Sequence, residues 1–223
     1  MRLTPLLLLT PLAAAAAAPS SLLTPQSPFT PRDAPGDLPR IVSVSYSGSG
    51  CPSSSPAVER TGSGFNDVGF QLNGFEAQTT PAASPAASSV NCQVHLQAAG
   101  ASAGWQVGVA EVVVRGHLVL DPGARLEYYV SSFWSEDAGD TVTIHGTVPN
   151  SGPGRLDTDV TAHTTVPGAN VVYSPCTGPD GAVGLLNVNF RVALLADGSQ
   201  YGYFGKGAGA AATESWGYVW RLC

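Results

Sequence analysis

The sequence predicts an all-β fold: an antiparallel, jelly-roll-like β-sandwich built as a single domain with two disulfides. Three observations lead there. Short runs rich in Val, Ile, Leu, Thr and Tyr recur along the chain, separated by clusters of Gly, Pro, Asn and Asp. No stretch beyond Ala18 places apolar residues at a period of 3.6. The cysteines number four, with no C-x-x-C spacing, which in an exported chain reads as two disulfides and not as a zinc site.

Export is expected from the N-terminus. Arg2 precedes an apolar stretch, Leu3 to Leu12, and the alanine run Ala13 to Ala18, which is the layout of a signal peptide. Pro5 and Pro11 tell against a buried helix there. The expected organisation is a signal peptide over 1–17, a disordered Pro/Ser/Thr-rich spacer over 18–40, and a secreted β-domain over 41–223. No later window reaches the roughly 18 apolar residues of a spanning helix. Only 12% of residues are charged, the net charge is −6, and Lys206 is the lone lysine. Without clustered Lys and Arg, neither nucleic acid nor an anionic membrane is an expected partner. An extracellular monomer is.

The strands follow in order. Ile41–Tyr46 alternates and should open the domain, followed by Val68–Leu72, Cys92–Gln97, Gln106–Val114, His117–Leu120 and Leu126–Trp134. Then come Thr141–Val148, Asp157–Thr165, Val171–Tyr173, Leu185–Leu195 and Trp216–Leu222. In Leu185–Leu195 the residues Leu186, Val188, Phe190, Val192 and Leu194 mark a core face, and Asn187, Asn189 and Arg191 a watered one. Pro81–Ser89 and Gly205–Ala212 read as flexible connections. Of the three possible cysteine pairings, Cys51–Cys92 with Cys176–Cys223 is favoured because each pair encloses a separate block of sequence. Each closure is worth roughly 3–4 kcal/mol by the loop-entropy model.

Six motifs in order resemble a known family. They are Gly48-Ser49-Gly50-Cys51-Pro52, Asn91-Cys92-Gln93, and Arg115-Gly116-His117-Leu118 with Leu120-Asp121, the last similar to a central R-G-Y-x-x-L-D segment. Tyr128-Tyr129 with Phe133, then Ser174-Pro175-Cys176, then Leu186-Asn187-Val188-Asn189 with Trp220 complete the series. Together they resemble DUF4360, a family of fungal secreted proteins. His117 stands where that family's motif has an aromatic, and Tyr173 where a tryptophan is usual. The resemblance implies a secreted, cysteine-paired β-domain, supports the favoured pairing, and brings no catalytic residues or cofactor with it.

Several constellations could carry chemistry. Gly100-Ala101-Ser102-Ala103-Gly104 matches the G-x-S-x-G elbow, but a strand and not a helix should follow it. Glu111 and Glu127 lie on successive predicted strands and, if brought together across a sheet, would suit a jelly-roll glycoside hydrolase. Asp157, Asp159 and His163 share a strand face but span too far to close a metal site alone; no metal is expected. His95, His117, His145 and His163 are scattered one per strand. The most suggestive feature is aromatic. Trp216, Tyr218 and Trp220 share one face of the last strand, and Tyr129 and Phe133 share a face of another. Exposed, such rows form platforms that stack on sugar rings beside Asn and Gln; buried, they are core. The leading expectation is thus a non-enzymatic binding, structural or effector protein. Its expected partner is cell-wall or plant polysaccharide, or a host protein, with the glycoside hydrolase as the alternative.

Overall fold

A computed structural model describes residues 34–53, 57–82 and 84–223. The signal peptide and most of the spacer expected from the sequence lie outside the described residues. Twelve strands form among the described residues. The first six are β1 (Arg40–Ser47), β2 (Val58–Thr61), β3 (Gly69–Leu72), β4 (Ala77–Thr79), β5 (Ser89–Ala99) and β6 (Trp105–Leu120). The rest are β7 (Arg125–Trp134), β8 (Thr141–Pro149), β9 (Leu156–Thr165), β10 (Gly184–Leu195), β11 (Gly202–Gly205) and β12 (Ala212–Leu222).

All pairings between these strands are antiparallel, and they build two sheets. One sheet has five strands in the order β1-β5-β10-β7-β8. The other has seven and is organised on β6, with β9 along one side and β12 followed by β11 along the other. β12 continues to β3 and β2, and β11 to β4.

Alternation decides what goes between the sheets. β5 turns Val90, Cys92, Val94, Leu96 and Ala98 inward, and β10 turns in Leu186, Val188, Phe190, Val192 and Leu194. The seven-stranded sheet answers with Phe70, Leu72, Val107, Val109, Val112, Val114, Leu118 and Leu120. Rings meet across the interface: Phe190 lies 6.2 Å from Phe204, and Tyr46 lies 6.0 Å from Phe70. The fold is the all-β sandwich that the sequence predicts.

Both disulfides form with the favoured pairing. Cys51–Cys92 fastens the turn after β1 to β5, and Cys176–Cys223 fastens the loop before β10 to the end of β12.

Three local readings change. Gln106–Val114 and His117–Leu120 are one strand of 16 residues, β6. Gly116 is no turn: it faces inward, where a Cβ would stand 2.7 Å from the Phe204 ring. Val171–Tyr173 makes a single bridge, Tyr173 to Gly108, in place of a strand. Gly202–Gly205, partly assigned to a flexible connection, pairs with both β4 and β6.

Candidate functional site

Ser, Thr, Asn, Gln and His side chains make up most of the outer face of the five-stranded sheet. The register sets them in rows that cross the strands. One row runs Ser45, His95, Asn187, Phe133, Thr141; the next runs Ser47, Gln93, Asn189, Ser131, Thr143. A third holds Asn91, Arg191, Tyr129 and His145. Neighbouring strands lie about 4.8 Å apart, and successive rows about 6.7 Å.

These side chains are interlocked. Asn187, 2% exposed, is the hub. Its amide nitrogen donates to Ser135 Oγ (2.8 Å) and to the Leu185 carbonyl (3.2 Å). That fixes its oxygen as the acceptor facing His95 Nδ1 (2.6 Å) and Gln93 Nε2 (3.4 Å). His95 therefore carries its proton on Nδ1, leaving Nε2 against the Ser47 hydroxyl at 2.9 Å. Asn91 donates to Asn189 (3.3 Å), and Ser131 and Thr143 share a 2.7 Å hydrogen bond.

Two rings interrupt this polar field. Tyr129 stacks on the His145 imidazole, with centroids 4.6 Å apart and planes 17° apart, and the Arg191 guanidinium lies 6.0 Å from its centroid. Phe133 sits four residues further along β7, about 13 Å away. It is half-buried, and no ring contact engages it among the described residues.

Glu127 lies on this same face. It accepts from Arg125 Nε (2.8 Å) and Thr147 Oγ1 (2.7 Å) and pairs with His145. The Thr147 hydroxyl first, with His145 and Arg125 after it, holds its carboxyl below the usual range. Glu111 is elsewhere: it lies on the outer face of the seven-stranded sheet, paired with His163 at 2.6 Å. The chain changes sheets between β6 and β7, so two sheet layers separate these carboxylates. The pairing that a hydrolase requires is not made, and Glu127 has the pKa shift opposite to that of a general acid.

The other sequence candidates are placed as follows. Trp216 and Trp220 are buried at 4% and 8% exposure, turned between the sheets. Trp216 packs against Phe70 with centroids 5.0 Å apart, and Tyr218 stacks on Phe65 at 4.3 Å. This row fills the core. Ser102 sits in the turn before β6 and accepts from the Asp37 amide at 3.0 Å, and no hydrogen bond joins it to a histidine among the described residues. Asp157 and Asp159 flank His117, at 3.1 and 2.9 Å, and not His163. Sequence reasoning had Tyr129, Phe133, Asn187, Asn189 and Arg191 on suitable faces. It missed Gln93 and His95, which the alternation Asn91, Gln93, His95, Gln97 in β5 would have disclosed.

Comparison with known proteins gives the family. The family model for DUF4360, a domain of unknown function, matches residues 37–223. An uncharacterized secreted protein of Arthroderma benhamiae is 27% identical over 164 residues, covering 72% of this chain. The chain spans about three fifths of that relative, 61% of its length. Among solved structures, TmCBM61 in complex with beta-1,4-galactotriose covers 82% of this chain and 91% of its own, at 9% identity and a TM-score of 0.22. A likeness that slight carries no argument. The protein is secreted, in keeping with that relative and with its two disulfides.

Proposed function

The chain belongs to DUF4360, a domain of unknown function, and on that premise we propose that it is a non-catalytic extracellular protein that binds a neutral cell-wall or plant polysaccharide. The ligand lies on the outer face of the five-stranded sheet. One observation carries the reading: Phe133 and the Tyr129–His145 stack stand among Asn187, Asn189, Gln93 and His95 on a single continuous face. Amide and imidazole groups donate and accept, as sugar hydroxyls require, while aromatic rings take the apolar faces of pyranoses. Of the ions on this face, Glu127 pairs with Arg125, while Arg191 lies over the Tyr129 ring and donates to Ser89, an arrangement that favours an uncharged ligand.

The experiment is a pull-down of the oxidised protein on chitin, β-glucan, cellulose and xylan, with released sugar assayed in the supernatant. Retention on at least one polymer without release is expected. Phe133→Ala and Asn189→Ala should each weaken it by about tenfold or more, a change of ~1.4 kcal/mol, with thermal unfolding as the control for folding. Retention on none of the four, or unaltered retention by F133A, would sink the proposal. Sugar release would transfer the protein to the enzymes.

A further inference from the structure

The outer face of the seven-stranded sheet has a different chemistry. Here β6 presents Glu111, Arg115 and His117, and β9 presents His163, Thr161, Asp159 and Asp157. Most of these groups pair with one another. Glu111 takes His163, and His117 takes both Asp157 and Asp159. Arg115 does not: no hydrogen bond or ion pair engages it among the described residues. Its cross-strand neighbours are threonines on both sides, Thr161 on β9 and Thr213 on β12.

Beside this row runs the connection between β11 and β12. From Gly207 to Ala212 it carries nothing larger than a methyl group. A Cβ at Gly207 would stand 3.2 Å from His117 Cβ and 3.4 Å from Asp159 Oδ1, so the backbone passes tightly against that pair. Beyond it the missing side chains leave a cavity of about 670 Å³, lined by Arg115, His117, Asp159, Thr161, Thr213 and the glycine-alanine segment. That is within the size range of small-molecule sites.

We propose that this cavity is a second binding site, for a sugar acid such as the uronic-acid unit of an oligosaccharide. Its carboxylate sits on the Arg115 guanidinium, whose planar fork matches two oxygens at once. Its ring hydroxyls meet the Thr161 and Thr213 hydroxyls and the free oxygen of Asp159. A bare anion would leave most of the volume empty. A neutral sugar would leave the guanidinium without a countercharge. A peptide C-terminus brings a carboxylate but few hydroxyls for the Asp159 acceptor.

The test is calorimetric titration of the full chain with a galacturonic acid trimer, its fully methyl-esterified form, and a tripeptide with a free C-terminus. The acid trimer is expected to bind. The ester, and the acid trimer against Arg115→Gln, are expected to bind at least ~10-fold more weakly. Arg115 is exposed, so the R115Q melting temperature should match that of the parent. Equal affinity for acid and ester, unaltered affinity in R115Q, preference for the tripeptide, or no binding at millimolar concentration would each overturn the proposal. Retention of neutral polysaccharide is expected to survive R115Q, which separates a failure here from a failure at the five-stranded sheet.

Discussion

Glu214 is a carboxyl in the wrong place for a simple core, and replacing it with glutamine tests why. It stands on β12 turned between the sheets, 1% exposed, with Phe70 and Val114 as cross-strand neighbours. Trp216 Nε1 donates to Oε1 at 2.7 Å, while Oε2 and the nearby Tyr218 hydroxyl are buried with no partner among the described residues. One neutral donor does not replace the lost hydration. Burial therefore pushes the carboxyl up to about 7 from its ordinary 4.5. Burial also pushes the Tyr218 hydroxyl well up, so that group stays neutral throughout the range that matters.

The folded protein thus holds a proton that the unfolded chain releases. The stability that this proton linkage contributes is greatest below about pH 4.5, declines as pH rises, and levels off above about 7. A shift of ~2.5 units at ~1.36 kcal/mol each amounts to about 3 kcal/mol, or roughly 6–12 °C in melting temperature for a chain of this length. On the acid side the sign reverses. Asp67, Asp121 and Glu127 are held below their ordinary values by hydrogen bonds from Ser63, from Arg155 and from Thr147 respectively. What they contribute is lost as pH falls through those lowered values. Melting temperatures measured from pH 4.5 to 8.5 should slope downward for the parent and stay level for Glu214→Gln, which overtakes it at the alkaline end. Parallel curves for the two proteins would refute this account of Glu214.

Three further outcomes follow from packing and hydrogen bonding. Cys51→Ala with Cys92→Ala opens a loop of 41 residues between two fully buried sulfurs and should cost about 4 kcal/mol, read as a lower denaturation midpoint in urea. Gly108→Ala drives a methyl into Val171 and to within 2.9 Å of the Val172 carbonyl; a loss of ~1–3 kcal/mol in the same assay is expected. Asn187→Ala strips Gln93, His95 and Ser135 of a common partner. It should cost ~1–3 kcal/mol and weaken polysaccharide retention together, the two being read by urea melts and the pull-down.

Much of the sandwich is legible because period-two alternation and inward burial are the same statement. Leu186 to Leu194 could be assigned to the core from sequence, and they are in it. What alternation does not carry is which face of a strand turns inward when both are plausible. Trp216, Tyr218 and Trp220 share a face in sequence and in structure, yet only Phe65 and Phe70, brought in from distant segments, show that the face is internal. Nor does it carry sheet membership. Glu111 and Glu127 sit on strands consecutive in the chain, but the turn at Asp121–Ala124 passes from one sheet to the other and parts them. Gly116 misled for a third reason: glycine marks a close approach as readily as a turn, and here Phe204 makes the approach.

A polar sheet face needs no ligand to explain it, since a chain with few charges must meet water with Ser, Thr, Asn and Gln. The distinction between a solvated face and a binding face is order. Solvated side chains are free to rotate and lose that freedom when a ligand arrives, at roughly 0.5–1.5 kcal/mol each. On the five-stranded sheet, Asn187 is buried and held by four hydrogen bonds, His95 is fixed between it and Ser47, and Tyr129 is clamped on His145. Their conformational cost is met during folding, before any sugar is present. Order also separates the two proposed sites. The face of the five-stranded sheet is preorganised and continuous across its strands, suited to a long polymer. The Arg115 cavity leaves its guanidinium free and its rim small, suited to a single acidic unit. If order is what matters, Asn187→Ala must lower affinity even for ligands that never touch residue 187, because it releases Gln93 and His95 together.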